Sequence, residues 1–139
     1  MQVKLKRKNK AVHFEAIGAS GIPVNIDGAP KIGGEGKGLR PKELLLISIG
    51  GCSSIDIVMI LNKQRQTLVD YDVTITGTLD DEGEKAFNAI NFHFDLWGDL
   101  DTTKVEKAID LSLFKYCSVL LSLDKTITID YTYKIHPQP

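Results

Sequence analysis

The sequence predicts an α+β fold in which two helices pack on antiparallel sheets. Three observations lead to this prediction. Apolar and polar residues alternate with a period of two in three stretches of the chain, which indicates strands. Two further stretches carry the apolar content and spacing of helices. The length of 139 residues is that of one ordinary domain, so residues 1–139 are expected to form a single domain with the order ββ-α-ββ-α-β.

Two strands are predicted near the N-terminus, at Val12 to Ile17 and at Ile22 to Asp27. The intervening segment Gly18 to Gly21 supplies turn residues, so the two strands should form a hairpin. A run of basic residues precedes them, and a lysine-rich edge strand explains this run better than an RNA-binding surface does. The basic residues are Lys4, Lys6, Arg7, Lys8 and Lys10.

The segment Gly33 to Gly38 predicts a mobile loop, and Pro41 then opens a long helix from about Lys42 to Arg65. This helix is apolar on every face, so it must be covered on every side. One sheet face and one neighbouring helix bury about half of it. We therefore expect a second subunit to cover the rest in a homodimer.

The second half of the chain predicts another hairpin and a final strand. Alternating residues mark strands at Tyr71 to Leu79 and at Phe92 to Leu96, with an acidic loop, Asp80 to Lys85, between them. The last strand, Thr126 to Ile135, alternates apolar with polar residues, the pattern of a half-buried strand.

Before that last strand, a second helix is predicted. A capping box formed by Thr103 and Glu106 opens it. Its apolar residues recur at spacings of three and four, and Cys117 lies on this apolar stripe.

The composition excludes several classes of protein. Hydrophobic residues are 42% and charged residues 25% of the chain, as in globular proteins. The 17 basic and 18 acidic residues give a formal net charge of −1, which argues against nucleic acid or an anionic membrane as partner. Two cysteines and no recognisable signal peptide predict a reducing, cytoplasmic setting. The longest charge-free apolar run, Leu44 to Ile55, is short of the ~18 residues that a membrane span needs.

The candidate chemistry lies at two cysteines, one on each predicted helix. Gly50 and Gly51 precede Cys52, and each glycine costs ~1 kcal/mol relative to alanine inside a helix. This cost indicates that another element or a substrate approaches closely beside Cys52. On the residues alone, Cys52 and Cys117 are either small buried hydrophobes or an attacking and a resolving thiol.

These residues resemble a known family, the osmotically inducible protein C and organic hydroperoxide resistance (OsmC/Ohr) family. The resemblance covers essentially the whole chain and includes the predicted order of elements. It rests on Pro41-Lys42-Glu43-Leu44-Leu45 leading into Gly50-Gly51-Cys52, and on Tyr116-Cys117 in the second helix. It implies an intertwined homodimer with active sites at the subunit interface. It also implies an antioxidant peroxidase that reduces organic hydroperoxides during oxidative stress.

The resemblance assigns roles to both cysteines. Cys52 would be the thiolate that attacks the O–O bond and becomes a sulfenic acid, and Cys117 would condense with it to a disulfide. An external dithiol, often a lipoyl protein in the family, would reopen that disulfide. No bound cofactor and no metal are expected.

The chain departs from the family pattern at two supporting positions. The family places an arginine in the turn after an early strand, whereas Gly18 to Gly21 contains none. The family's glutamate lies ten residues before the reactive cysteine, where this chain has Lys42, and Glu43 follows one position later. Glu43 faces away from Cys52 on the helix, so we interpret it as a first-turn residue favoured by the helix dipole.

The missing arginine leaves the thiolate in need of another cation, because the helix dipole acts mainly within the first turn. Three candidates remain open: Arg40, Lys42 and Arg7. The same departure favours an alternative function, an OsmC-like redox-sensing or small-molecule-binding protein without significant peroxidase turnover.

Other motifs carry little weight. Gly36-Lys37-Gly38 lacks the Ser or Thr of a phosphate-binding loop, and Cys52 does not follow a strand as the nucleophile of an acyl-transfer hydrolase would. Three polar residues, Asn91, His93 and Asp95, share one strand face, and outward-facing strand polarity explains them better than a metal site does.

Overall fold

The structure, a computed structural model, describes residues 1–80 and 86–138. Its backbone contacts divide the chain into two compact units, Met1–Leu45 and Leu46–Pro139. The part of the predicted acidic loop that covers residues 81–85 lies outside the described residues.

The first unit contains a three-stranded antiparallel sheet. Its strands are β1 (Lys4–Arg7), β2 (Phe14–Ile17) and β3 (Pro23–Ile26), in the spatial order β1-β2-β3. The predicted hairpin is therefore confirmed as β2 and β3. The basic segment forms β1 at the edge of this sheet, with every residue exposed, which adds one strand before the predicted order.

The loop after β3 is organised by hydrogen bonds to Asp27, and its mobility stays a prediction. Asp27 is 1% exposed, and its carboxylate accepts hydrogen bonds from the backbone N–H groups of Gly28 at 2.8 Å, Glu35 at 2.8 Å and Lys37 at 3.0 Å. Position 34 requires glycine, because a Cβ there would collide with the carbonyl oxygen of Gly28. The buried carboxylate of Asp27 therefore organises this glycine-rich loop.

The long helix α1 (Pro41–Lys63) begins and ends with recognisable caps. At its start, the carboxylate of Glu43 accepts a hydrogen bond from the backbone N–H of Arg40 at 2.7 Å, as in a capping box. At its end, Arg65 adopts a left-handed conformation with φ of 57°. The backbone N–H of Gln66 donates to the carbonyl oxygen of Leu61, and that of Arg65 donates to that of Asn62, which are the two hydrogen bonds of a Schellman motif. Its bounds agree with the prediction to within two residues.

Only one stripe of α1 is buried in the single chain. The buried residues recur at spacings of one, three and four: Ile49, Gly50, Ser53, Ile57 and Leu61. The other apolar faces of the helix remain exposed or half-buried. The expectation that this helix needs a further partner therefore stands as a prediction.

The length and composition of α1 also satisfy the test for a membrane span, with a mean hydropathy of 2.2. The expectation of no such segment was too strict, because it counted only charge-free runs, and an 18-residue window tolerates the single carboxylate of Asp56. The core helix of a soluble protein satisfies the same test, so this property is weak evidence for a membrane.

The second unit contains a mixed sheet with the order β4-β5-β6. Strands β4 (Thr67–Leu79) and β5 (Phe87–Asp99) form the predicted antiparallel hairpin, and β6 (Thr128–His136) runs parallel to β5. The prediction of an antiparallel sheet was therefore wrong for β6, which the chain reaches by a helical crossover. Central strand β5 supplies much of the core through Ile90, Phe92, Phe94 and Leu96.

The crossover is not the single helix that the apolar spacing predicted. It consists of α2 (Thr102–Leu111), a π-helical turn (Ser112–Tyr116) and α3 (Ser118–Leu121). The cap of α2 also differs from the predicted capping box, because the side chain of Asp101 accepts the backbone N–H of Lys104 at 3.0 Å. Between the π-helical turn and α3, Cys117 has an extended conformation with φ of −61° and ψ of 97°.

Candidate active site

The second unit brings together the two thiols that the sequence singles out. Cys52 lies in the middle of α1 and is half-buried, whereas Cys117 lies at the helix break before α3 and is fully buried. Both cysteines are free, and each thiol affects the pKa of the other. Helix α1 and the crossover therefore meet at a pair of thiols.

The π-helical turn holds Cys117 against α1. The buried hydroxyl of Ser112 donates a hydrogen bond to the carbonyl oxygen of Ser53 at 3.0 Å. The backbone N–H of Cys117 donates to the carbonyl oxygen of Ser112 at 2.8 Å, and its Sγ lies 4.0 Å from the carbonyl oxygen of Ile49. A π-helical turn inserts one extra residue into a helix, and such turns are common at functional sites. Here the turn ends at the buried thiol.

The environment of Cys52 lowers the pKa of its thiol. The largest cause is a hydrogen bond from the backbone N–H of Val119, in the first turn of α3. Burial acts in the opposite direction, the side chains of Cys117 and Ser118 lower the pKa further, and the negative charge of Asp56 raises it. The Sγ of Cys52 lies 3.9 Å from the Oγ of Ser118. The lowered pKa raises the fraction of Cys52 that is thiolate at a given pH, and the thiolate is the nucleophilic form of cysteine.

The environment of Cys117 has the opposite effect. Burial raises its pKa to about 11, the backbone N–H groups of Leu120 and Val119 lower it, and the neighbouring Cys52 raises it. At neutral pH, Cys117 therefore carries its proton and can donate it to the sulfur of Cys52. The two thiols form an asymmetric pair with one activated sulfur and one protonated sulfur.

The three cations considered from the sequence all lie in the first unit. Arg7 donates hydrogen bonds to the carbonyl oxygens of Ala11, at 3.0 Å from Nε, and of Lys10, so it stabilises the turn before β2. Arg40 and Lys42 line a cleft of that unit, and the buried Nη1 of Arg40 finds no hydrogen-bond partner in the part of the chain that the structure describes. The largest contribution to thiolate stabilisation comes instead from a peptide N–H of the second unit.

Glu43 caps the N-terminus of α1. Its carboxylate caps α1 through the N–H of Arg40, which agrees with its interpretation as a first-turn residue. The structure therefore gives Glu43 a local role at one end of the helix that carries Cys52 near its middle.

The two glycines before Cys52 have different surroundings. A Cβ on Gly50 would overlap the Cδ1 atom of Ile75 on β4, so this glycine permits close packing of α1 on the sheet. Gly51 has no atom within 4 Å of its Cβ position among the described residues. The expected close approach is therefore confirmed at Gly50 and absent at Gly51 within a single chain.

The residues that sequence reasoning missed are Val119, Ser118 and Asp56. Peptide N–H groups carry no sequence signal, so the contribution of Val119 depends on where the crossover breaks. Asp56 follows Cys52 by four residues, which is one helical turn, and this spacing alone was enough to place it near the thiol.

The histidines do not form a metal centre. Asp95 lies 2.6 Å from the ring nitrogen of His136 and 3.5 Å from that of His93, and the pKa of its carboxyl is lowered chiefly by the hydrogen bond with His136. Among residues 1–80 and 86–138, no group of three or more His, Cys, Asp or Glu side chains has an arrangement able to hold a metal ion.

The comparison with known families agrees with the geometry of the two thiols. The sequence profile of the OsmC-like protein family matches residues 34–132, which include both cysteines. The chain belongs to the OsmC-like protein family. The resemblance noted from the sequence is thereby confirmed, together with an α+β fold of helices and two sheets.

Relatives of this OsmC-like protein match over nearly their whole length. Protein YhfA of Escherichia coli strain K12 is 39% identical over 136 residues, which cover 97% of this chain and 98% of that protein. A hypothetical protein from Aquifex aeolicus VF5 has a crystal structure with a TM-score of 0.85 at 30% identity, covering 99% of this chain and 97% of that chain.

A third similar structure is that of an organic hydroperoxide resistance protein OsmC from Legionella pneumophila. Its TM-score is 0.67 at 20% identity, and the match covers 96% of this chain and 94% of that chain. At 20% identity, this similarity shows that the two proteins share a fold.

Proposed function

We propose that this OsmC-like protein is a thiol-dependent peroxidase that reduces organic hydroperoxides. The observation that carries the proposal is the asymmetric pair of thiols, in which the pKa of Cys52 is lowered and that of Cys117 is raised to about 11. A peroxidase of this type needs one nucleophilic sulfur and one nearby sulfur that resolves the oxidised product. The name of the Legionella structure, a hydroperoxide resistance protein with this fold, supports the same reaction class.

The first step is a displacement on oxygen. The thiolate of Cys52 attacks one oxygen of the O–O bond, a sulfur–oxygen bond forms, and the alkoxide leaves and takes up a proton as an alcohol. Cys52 is oxidised to a sulfenic acid while the hydroperoxide is reduced. Cys52 is half-buried, whereas Cys117 is fully buried, so Cys52 is the more accessible residue of the two.

The second step closes a disulfide. Cys117 attacks the sulfur of the sulfenic acid, a sulfur–sulfur bond forms, and water leaves. The charge of the Cys52 thiolate contributes to the raised pKa of Cys117. Burial, the largest cause of the raised pKa of Cys117, remains, but the repulsion from a charged Cys52 is lost once that sulfur is a neutral sulfenic acid.

The third step restores the enzyme. An external dithiol attacks the disulfide through a mixed disulfide and is itself oxidised, which returns both cysteines to the thiol form. A lipoyl group is the reductant class that we propose, and the cycle requires no bound cofactor.

A peroxidase assay tests the proposal directly. Cumene hydroperoxide consumption is followed with dihydrolipoamide as reductant for the wild type, Cys52→Ser and Cys117→Ser. We expect no consumption by Cys52→Ser above the background rate. Cys117→Ser should consume about one equivalent and then stop, because the sulfenic acid forms but is not resolved. Equal rates for all three proteins would contradict the proposed function.

A second candidate is a redox-sensing or small-molecule-binding protein without turnover. It is favoured by the turn between β2 and β3, residues 18–21, which contains no arginine. In this case the wild type would form the Cys52–Cys117 disulfide after one equivalent of hydroperoxide, and dihydrolipoamide would not sustain further consumption. Mass spectrometry of the oxidised wild type, measured beside the turnover assay, separates the two candidates.

A further inference from the structure

Ser118 is the first residue of α3, and its side chain contacts the sulfur of Cys52. The two atoms, Oγ of Ser118 and Sγ of Cys52, lie 3.9 Å apart in a long hydrogen bond to sulfur. The thiolate form of Cys52 has no proton on its sulfur, so the serine hydroxyl is then the donor. Ser118 therefore contacts the atom that reacts.

The groups that favour the thiolate of Cys52 differ in their freedom to move. They are the backbone N–H of Val119 and the side chains of Cys117 and Ser118. The N–H of Val119 is fixed in a planar peptide group, and Cys117 is fully buried. Ser118 is exposed in the single chain, and its hydroxyl proton turns about the Cβ–Oγ bond. Of these three groups, the serine hydroxyl is the donor best able to change its acceptor during a reaction.

Reduction of a hydroperoxide moves negative charge away from the sulfur. The thiolate of Cys52 gives an electron pair to the terminal oxygen, so that the sulfur–oxygen bond forms and the O–O bond breaks. The electron pair of the broken bond stays on the second oxygen, which leaves as an alkoxide and takes a proton from water. A donor that stays at the sulfur stabilises the reactant more than the transition state, whereas a donor at the leaving oxygen lowers the barrier.

We propose that Ser118 is a catalytic residue, whose hydroxyl donates a hydrogen bond first to the Cys52 thiolate and then to the leaving oxygen of the hydroperoxide. The inference rests on the proposed function and deepens it. The leaving oxygen lies one bond beyond the attacked oxygen, in line with the sulfur. A hydroperoxide that approaches from the side of Ser118 thus brings this oxygen to the hydroxyl. Ser118 keeps its own proton throughout the step.

The test follows a single oxidation of Cys52 and needs no turnover. In a Cys117→Ala background, which has no second thiol and no added hydroxyl, Cys52 reacts with either cumene hydroperoxide or iodoacetamide. Dimedone traps the sulfenic acid, and intact-mass spectrometry follows both products. Rates are measured from pH 5 to pH 10, so that the plateau at high pH gives the reactivity of the thiolate itself. Cys52→Ser in the same background gives the rate at all other sites.

We expect Ser118→Ala to lower the plateau rate with cumene hydroperoxide by about tenfold, the effect of one hydrogen bond to a charged group. The plateau rate with iodoacetamide should remain nearly unchanged, because iodide is a weak hydrogen-bond acceptor that leaves without a proton. The midpoint of both pH profiles should rise, because the hydroxyl of Ser118 contributes to the lowered pKa of Cys52. Ser118→Thr keeps a hydroxyl and should retain most of the rate with the hydroperoxide.

Ser122→Ala is the matched control in the same short segment of the chain. The hydroxyl of Ser122 donates to the backbone carbonyl oxygen of Ser118 at 2.8 Å, so its removal leaves the hydroxyl of Ser118 in place. Both plateau rates should be unchanged in this variant.

The outcomes separate this inference from the proposed function. An unchanged hydroperoxide plateau in Ser118→Ala, or an equal loss with both reagents, would overturn the role of Ser118 and leave the peroxidase function standing. Alkylation of Cys52 without any oxidation by the hydroperoxide in the background protein would overturn the peroxidase function, and the role of Ser118 with it.

Discussion

Gly50 is a residue of α1 at which the helix packs closely on the sheet. A Cβ at this position would overlap Cδ1 of Ile75, while Cγ1 of the same side chain lies at an ordinary 3.6 Å. The steric conflict therefore concerns a single methyl group. Because Gly50 is two residues before Cys52, the same contact sets how closely the thiol-bearing segment of α1 approaches β4.

We expect Gly50→Ala to lower the free energy of unfolding by about 1–2 kcal/mol. Overpacking costs about 1–3 kcal/mol, and the better helix propensity of alanine offsets up to ~1 kcal/mol of this. In an Ile75→Val background the loss should disappear, because valine lacks the Cδ1 atom. Urea unfolding of the two single variants and the double variant measures this coupling.

Gly51→Ala provides the matched control. Within one chain, nothing beyond its chain neighbours and the local helix backbone lies within 4 Å of its Cβ position, so the effect of this substitution should not depend on whether residue 75 is isoleucine or valine. Equal effects of alanine at Gly50 and Gly51 would show that contact with Ile75 does not limit the packing.

At the scale of single residues, the sequence predicts which groups matter better than it predicts how they are activated. Cys52 and Cys117 stand out because thiols are rare and chemically distinct. Arg40, Lys42 and Arg7 are the candidates for an activating cation, because charged side chains are visible in a sequence. The largest effect on the pKa of Cys52 comes from the N–H of Val119, and every non-proline residue has such a group.

Among the elements, the loop after β3 depends most on a single side chain. The carboxylate of Asp27 accepts three backbone N–H groups, of which that of Lys37 contributes most to lowering its pKa. Glycine-rich composition predicted mobility because it reports the freedom of the unfolded chain. The three hydrogen bonds to buried Asp27 restrict this freedom. In the sequence, Asp27 is part of an Asp-Gly pair, which predicts only an ordinary turn.

We expect Asp27→Ala to destabilise the protein at pH 7 and to have a smaller effect in acid. The pKa of Asp27 is lower in the folded protein than its ordinary value of 3.8, so the folded state binds fewer protons than the unfolded state in this range. The contribution of the carboxylate is therefore complete above the ordinary pKa and is lost as the pH falls through the lowered one. Urea unfolding of the wild type and the variant between pH 7 and pH 3 measures the difference.

The control for Asp27 is Asp130→Ala, which removes an exposed carboxylate that accepts only the N–H of its neighbour Tyr131 among the bonds described. Its effect should be small and should change little over the same pH range. A loss of stability in Asp27→Ala that is constant from pH 7 to pH 3 would contradict the role of the ionised carboxylate.

The crossover shows why one element could not be predicted. Its apolar spacing continues through Ser112 and Leu113 to Cys117, so the pattern predicts an unbroken helix. The actual break follows from tertiary contacts, since Ser112 bonds to α1 and the chain must return to a strand parallel to β5. Periodicity records which face is buried and carries no information about an inserted π-helical turn.

At the scale of the whole molecule, the second unit leaves a set of large apolar side chains exposed. They lie on α1, in the π-helical turn and on α3: Ile47, Ile55, Met59, Phe114, Tyr116 and Leu121. Their exposed fractions are all 50% or more. Large exposed apolar side chains that gather into one patch are typical of protein interfaces. It supports the homodimer that the all-round apolar character of α1 predicts.

We therefore expect the wild type to have about twice the chain mass of 15.3 kDa in solution at micromolar concentration. Ile55 is 63% exposed in the middle of α1, and Ile55→Lys should shift the mass to that of one chain, because a buried lysine without a partner opposes association. Size-exclusion chromatography with light scattering measures both masses.

The control is Val69→Lys on β4, where the side chain is 47% exposed. This variant introduces the same charge outside the set of exposed apolar residues and should leave the dimer intact. A monomeric wild type would contradict the homodimer, and a dimeric Ile55→Lys variant would show that the interface lies elsewhere.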